Sequence, residues 1–313
     1  LIVAVIIAAA GMAAYFIPRL RVEPGTASNP TAAVRAYLAA LASGDADTAL
    51  SYSAARPTDT TYLTSDFLTQ MMAVHPIANV IIPDDQPTQS PATIHATYVL
   101  GETNVEAHFT VQQHDRKWLL DGGYLTLDLS SLNGWGQPLT LNGVDLGESG
   151  KVQVFPGVYT LTLKDTPMIN IVNPAFTIAY PEANPTFDQM SLTLSEDGLS
   201  RIRAAADQKL NNCLASRELQ PAGCGFGFAG AETGTVDPAT ITWTLRESSD
   251  LSTVPLALDG SSTSIALGEV SITASIHAVS TDGRHNYTGD SAVTKLRADF
   301  TDPDNIQVSF GNG

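Results

Sequence analysis

Two histidines and two cysteines carry the side chains in this sequence best suited to chemistry. His95 and His108 fall on two segments of alternating polarity, residues 93–100 and 104–113, joined by Gly101-Glu102-Thr103. Paired as a hairpin, they would bring the two imidazoles face to face. Asp121 lies near enough along the chain to orient one of them as a general base. The alternation also supports a plainer role. Val105, Ala107, Phe109 and Val111 share one face of the second segment, so His108 stands with Glu106, Thr110 and Gln112 on the other. Two solvent-facing sheet histidines are therefore expected, and both remain candidate ligand contacts.

Cys213 and Cys224 are the only cysteines in the chain. A pair so sparse and so close predicts one disulfide in an oxidising compartment, with two separate reduced thiols as the alternative. Closing so short a loop contributes about 3 kcal/mol in the chain-entropy model. No His or further Cys lies at ligand spacing from them, and no two His stand four apart on a helix, so no metal is expected. Gly223-Cys224-Gly225-Phe226-Gly227 lacks the Lys and the strand-to-helix context of a phosphate loop, and no G-x-S-x-G elbow occurs. Asp302-Pro303-Asp304-Asn305 has acidic oxygens but neither the Gly nor the closing Glu of a calcium loop, and reads as a turn. Asn286-Tyr287-Thr288 matches a glycosylation triplet, a pattern frequent by chance. Trp135, in Asn133-Gly134-Trp135-Gly136, is a third candidate contact that could grip a glycan or a partner, with packing between domains as the plainer role. Phe226, Phe228 and Trp243 read as core before they read as a binding edge. No catalytic residue and no cofactor are assigned.

The elements that must position these groups follow from periodicity. Asn29-Pro30 opens a helix whose Ala33, Val34, Tyr37, Leu38 and Leu41 recur every three or four residues. Ser43-Gly44-Asp45 stops it and caps a second helix, and residues 65–74 form a third. Strands are expected at 77–82, 93–100, 104–113, 118–120 and 124–129. Three turn dipeptides, Asn133-Gly134, Asn142-Gly143 and Pro156-Gly157, then separate short strands at 139–141, 151–155 and 158–164. Residues 181–185 read as a linker. Ser195 caps a helix that ends near Ser216, with Leu199, Ile202, Ala206, Leu210 and Cys213 on one face. Strands are expected beyond it at 240–246, 264–267, 270–279 and 292–300. Helices followed by an antiparallel meander, twice over, predict an α+β chain.

The chain opens on an apolar run, LIVAVIIAAAGMAAYFI, closed by Pro18, Arg19 and Arg21. Seventeen residues at about 1.5 Å each reach roughly 26 Å, near the lower limit of a membrane span. The first residue is Leu rather than Met, and further residues upstream are expected to complete it. A transmembrane helix over residues 1–18 and a juxtamembrane linker over 19–29 are therefore expected. The competing reading is a cleaved signal, for which Ala8-Ala9-Ala10 offers small residues. The two arginines alone would place the bulk of the chain in the cytoplasm, whereas the cysteine pair favours the outside. Net charge is -16, from 16 Lys+Arg against 32 Asp+Glu. That disfavours nucleic acid and anionic lipid headgroups as partners, because both require a positive face.

Three resemblances refine this outline. PTAAVRAYLAALASGDADTALSYS and HDRKWLL resemble the opening helices and the charged turn before a Trp-led strand in the cystatin-like, nuclear-transport-factor-two superfamily. That likeness covers roughly residues 28–130 and implies a domain over 30–130. LTLNGVDLGESGKVQVFPGVYTLTL resembles the small PEGA-type β-sandwich through Asn142-Gly143, Gly147 and Pro156-Gly157-Val158-Tyr159, without that family's acidic-Gly-Ala portion. It implies a module over 131–182. NNCLASRELQPAGCGFGF resembles a recurrent piece of actinobacterial anchored proteins, with Gly225 where that pattern has Pro. It implies a disulfide-containing, second cystatin-like domain over 187–313. The whole order resembles the teicoplanin-resistance-associated envelope proteins and their zinc-ribbon-headed relatives. It implies a single-pass, extracytoplasmic, non-enzymatic scaffold or cell-wall sensor, with membrane lipid at residues 1–18 and a cell-wall glycan or envelope protein as partner. A subunit of a secretion or conjugation channel is the alternative, and an enzyme using the first domain as a pocket is the third.

Overall fold

The computed structural model describes residues 25–147, 150–180, 185, 187–230 and 235–312. The expected transmembrane helix, and the linker up to residue 24, lie outside the described residues. Among those described, no helix is long and apolar enough to cross a membrane. The described residues are α+β, with four α-helices and many more strands among them.

The first helix, α1 (Pro30–Ala42), starts where the sequence predicts. Asn29 has extended backbone and its side-chain oxygen accepts from the Ala32 N–H at 2.8 Å, while Pro30 occupies the first turn. Val34, Tyr37, Leu38 and Leu41 are fully buried on one face. Gly44 turns the chain at φ +75°, and a Cβ there would lie 3.0 Å from the Thr69 Cα. The next helices, α2 (Ala46–Ser51) and α3 (Ser65–Val74), are capped by Asp45 and Thr64. A four-stranded antiparallel sheet follows, in the order β1 (Ile77–Ile81), β2 (Ala92–Leu100), β3 (Thr103–His114), β4 (Lys117–Leu120). α1 lies across all four strands.

The next strands are β5 (Leu125–Asp128), β6 (Leu139–Leu141), β7 (Val144–Asp145), β8 (Lys151–Val154), β9 (Gly157–Leu163), β10 (Ile169–Val172) and β11 (Ala175–Ile178). Apart from β10, they form a β5–β8 ribbon and a sheet in the order β11-β9-β6-β7. The ribbon crosses the expected boundary at residue 130. Alternation places Leu125 and Leu127 inside, and their partners are Val154 and Val152. The same core therefore runs from Ala27 to Tyr180. α3 packs on β9, where a Cβ on Gly157 would meet the Met71 side chain, and the Tyr159 ring stacks on Phe67 at 6.3 Å.

The last unit holds β12 (Ser191–Leu194), α4 (Glu196–Ala215), β13 (Thr242–Ser248), β14 (Leu256–Leu258), β15 (Ile265–Val279), β16 (Asn286–Asp299) and β17 (Gln307–Gly311). Ser195 caps α4, whose Ile202, Ala206, Leu210 and Cys213 are buried. The sheet order is β13-β15-β16-β17, with β14 beside β15. A second core spans Met168 to Phe310. The expected boundary at 182–187 is also crossed, because β10 pairs with β12 and Ile169 is buried in the second core. The two strands expected at 264–267 and 270–279 are one, β15, with an irregularity between Glu269 and Ile272.

Candidate functional site

β2 and β3 are joined by a two-residue turn, Gly101-Glu102, with Gly101 at φ +60°. Glycine at the first central position suits the primed turns that hairpin twist requires. The turn sets the register, Leu100 opposite Thr103, and the pairing then runs unbroken to Ala92 opposite Val111. His95 accordingly faces His108, and Thr97 faces Glu106. The backbone N–H of His95 donates to the Gln86 side-chain oxygen at 2.8 Å rather than into the hairpin. His95 and His108 are thus a non-hydrogen-bonded pair, the kind in which opposing side chains approach most closely.

Their ring centroids are 4.9 Å apart. Glu106, two residues before His108 on the same face, sends its carboxylate diagonally to His95, with Oε1 2.9 Å from Nε2. One donor atom from each of His95, Glu106 and His108 lies within 4.8 Å of the other two. All three stand on the outer face of the sheet. His95 is half-buried, and the other two are exposed.

The inner face of the same strands is filled. Phe109 and Tyr37 are fully buried, and Tyr98 nearly so. Phe109 stacks on Tyr180 with centroids 4.5 Å apart and meets Tyr37 edge-on at 6.0 Å. The Tyr37 hydroxyl donates to the Gly123 carbonyl at 2.9 Å, and that of Tyr180 to the Asp121 carbonyl at 2.7 Å. Burial pushes the Tyr37 and Tyr98 phenols well up, and raises Tyr180 to about 12. All three phenols stay neutral at physiological pH, and those of Tyr37 and Tyr180 are the donors.

Asp121 takes its place through its backbone. Its N–H donates to the Thr110 carbonyl and its carbonyl accepts from Tyr180, so the carboxylate beside the histidines is that of Glu106. Trp135 ends a short 3-10 turn (Ser130–Trp135) and is partly buried against the first core. Phe226 and Trp243 are buried in the second core, with centroids 4.8 Å apart.

Cys213 and Cys224 are joined as a disulfide with Cα atoms 5.7 Å apart, and both are buried. The bridge ties the last turn of α4 to the following loop. Lys209 Nζ donates to the Ala222 carbonyl at 2.8 Å, and the Phe310 N–H of β17 to the Gly223 carbonyl at 2.9 Å. Gly225 at φ +71° lets the loop lie against β17, since a Cβ there would fall 2.6 Å from the Phe310 carbonyl carbon.

Compared with known protein families, curated proteins and solved structures, the chain finds no match. Glu106 is the one member of the outer cluster that linear spacing does not single out. Its place beside His95 comes from diagonal proximity across the hairpin, a signal present in the alternation once the register is known.

Proposed function

We propose that this chain is a membrane-anchored, extracytoplasmic protein of the cell envelope, without enzymatic activity, acting as a scaffold or as a binder of cell-wall material. The buried Cys213–Cys224 bridge carries the proposal, because such bonds form and persist in oxidising compartments. The apolar run at residues 1–17, closed by Pro18, Arg19 and Arg21, supplies the anchor. The filled interior of the first sheet directs recognition to outer faces rather than to a chamber. The proposal extends to the finer fold: cystatin-like and PEGA-like parts that share the first core, followed by a cystatin-like unit around the second, in the order of the teicoplanin-resistance-associated envelope proteins.

The test uses the full chain in membranes of cells that make it. Maleimide without reductant is expected to leave both cysteines unlabelled. Protease added outside intact cells is expected to digest the acidic bulk, and the solubilised chain to sediment with purified peptidoglycan. Two reactive thiols on a chain that external protease cannot reach would overturn the location. A correctly oriented chain that ignores peptidoglycan would leave the scaffold and remove the cell-wall binder.

A further inference from the structure

We propose that His95, Glu106 and His108 bind one divalent transition-metal ion, of the zinc, copper or nickel kind, on the outer face of the β2–β3 hairpin. Two imidazoles and one carboxylate form a donor set of intermediate softness. It suits those ions and not calcium or magnesium, which take oxygen. The site rests on the sheet alone and does not depend on where the chain resides.

The geometry is close to what an ion demands. Around tetrahedral zinc, ligand bonds of about 2.0–2.1 Å place donor atoms roughly 3.4 Å apart. The three donors here already lie within 4.8 Å of one another. The widest gap must close by about 1.4 Å on that comparison. Glu106 has 70% of its side chain exposed and His108 is exposed too, so rotation about side-chain bonds supplies that movement without disturbing the core. The backbone needs no adjustment. The nine β2–β3 pairs are free of bulges, the residues alternating with these three are buried, and Gln86 holds the His95 N–H from outside the hairpin.

Without metal, His95 and Glu106 bond each other, whereas the His108 side chain makes no hydrogen bond among the described residues and its ring lies against that of His95. A simple ion pair beside a bystander ring would give His108 no part in binding. A metal site requires it. With the three protein ligands on one side, the open positions of the ion face solvent, where water or a partner's donor group completes the shell. The net charge of -16 raises the local concentration of cations around the chain.

The experiment titrates the untagged, chelator-treated full chain with zinc chloride, and separately with copper(II) followed by electron paramagnetic resonance. One saturable ion per chain is expected, with two imidazole nitrogens coupled to copper. Loss of an outer-shell partner costs a metal site about 10–100-fold, so loss of a direct ligand in His108→Ala or Glu106→Gln should cost at least about tenfold. In His108→Ala one nitrogen coupling should vanish while the metal-free melting curve stays unchanged. His114→Ala, at the exposed far end of β3, should bind as the parent does. Absence of saturable binding, or equal binding by the parent and the His95→Asn/His108→Asn double variant, would overturn the site.

Discussion

Reduction of the Cys213–Cys224 bridge should lower the stability of the second core by about 3 kcal/mol without unfolding it. The two cysteines are 11 residues apart in sequence. In the chain-entropy model a loop of that length restricts the unfolded ensemble by about 9–10 cal/mol/K, or close to 3 kcal/mol at 25 °C. The folded state should lose little, because the loop has other ties. The Lys209–Ala222 and Phe310–Gly223 hydrogen bonds, the Phe228 N–H to the Leu219 carbonyl and the Phe226–Trp243 contact all remain after reduction. Urea unfolding with and without a phosphine reductant, followed by circular dichroism and by Trp fluorescence, measures the difference. A change of 3 kcal/mol corresponds to roughly 6–12 °C in Tm for a unit of 150–250 residues. An unchanged midpoint would refute the loop-entropy reasoning. A reduced chain that loses its cooperative transition at 25 °C would refute the claim that the remaining contacts hold the loop.

Two other perturbations address the first core. Phe109→Ala removes a fully buried ring that stacks on Tyr180 and meets Tyr37 edge-on, and should cost about 3–5 kcal/mol in urea unfolding while leaving the Cys213–Cys224 bridge intact by mass. Raising the pH should unfold the chain from about pH 10 upward. Burial raises the folded-state phenols of Tyr37, Tyr98 and Tyr159 above their unfolded value of about 10, so their stabilising effect is complete below pH 10. Above it the unfolded chain loses those protons first. Each such tyrosine then removes about 1.4 kcal/mol per pH unit, or about 4 kcal/mol per unit for the three. Phenolate absorbance should rise together with the loss of circular dichroism. Ionisation of every tyrosine near pH 10 in a chain that stays folded would contradict the buried environment.

The helices were legible because their caps and periodicity are local. Asn29-Pro30, Thr64 and Ser195 each begin a helix as side-chain acceptors, and the apolar faces of α1, α3 and α4 are those that three- and four-residue spacing marks. The β2–β3 hairpin was legible for the same reason. Most of what the sequence hid is non-local. β10 and β12 are four residues each, too short for alternation to speak, and their pairing joins segments on either side of the expected 181–185 linker. The boundary at 130 failed to mark a break for a related reason. Leu125 and Leu127 look like the end of one meander, and only their partners Val154 and Val152 show that they belong with the next.

The outer cluster shows why a site on a sheet is harder to read than one on a helix. On a helix, ligands recur at three and four along the chain, so spacing alone reveals them. On a hairpin, the partner of a residue is fixed by the turn, and a slip of one residue moves every side chain to the other face. Here the two-residue turn at Gly101-Glu102 makes His95 meet His108. With one residue more in the pairing, His95 would lie opposite Ala107 or Phe109, and either the histidines or the aromatic core would face the wrong side. The filled inner face therefore fixes the outer one. Phe109 opposite Ile94, both fully buried, disfavours a slip of one residue, and the two-residue turn selects the register that sets His108 beside His95 and brings Glu106 diagonally to them. The packing that closes the interior to a ligand is thus also what assembles the three donors outside it.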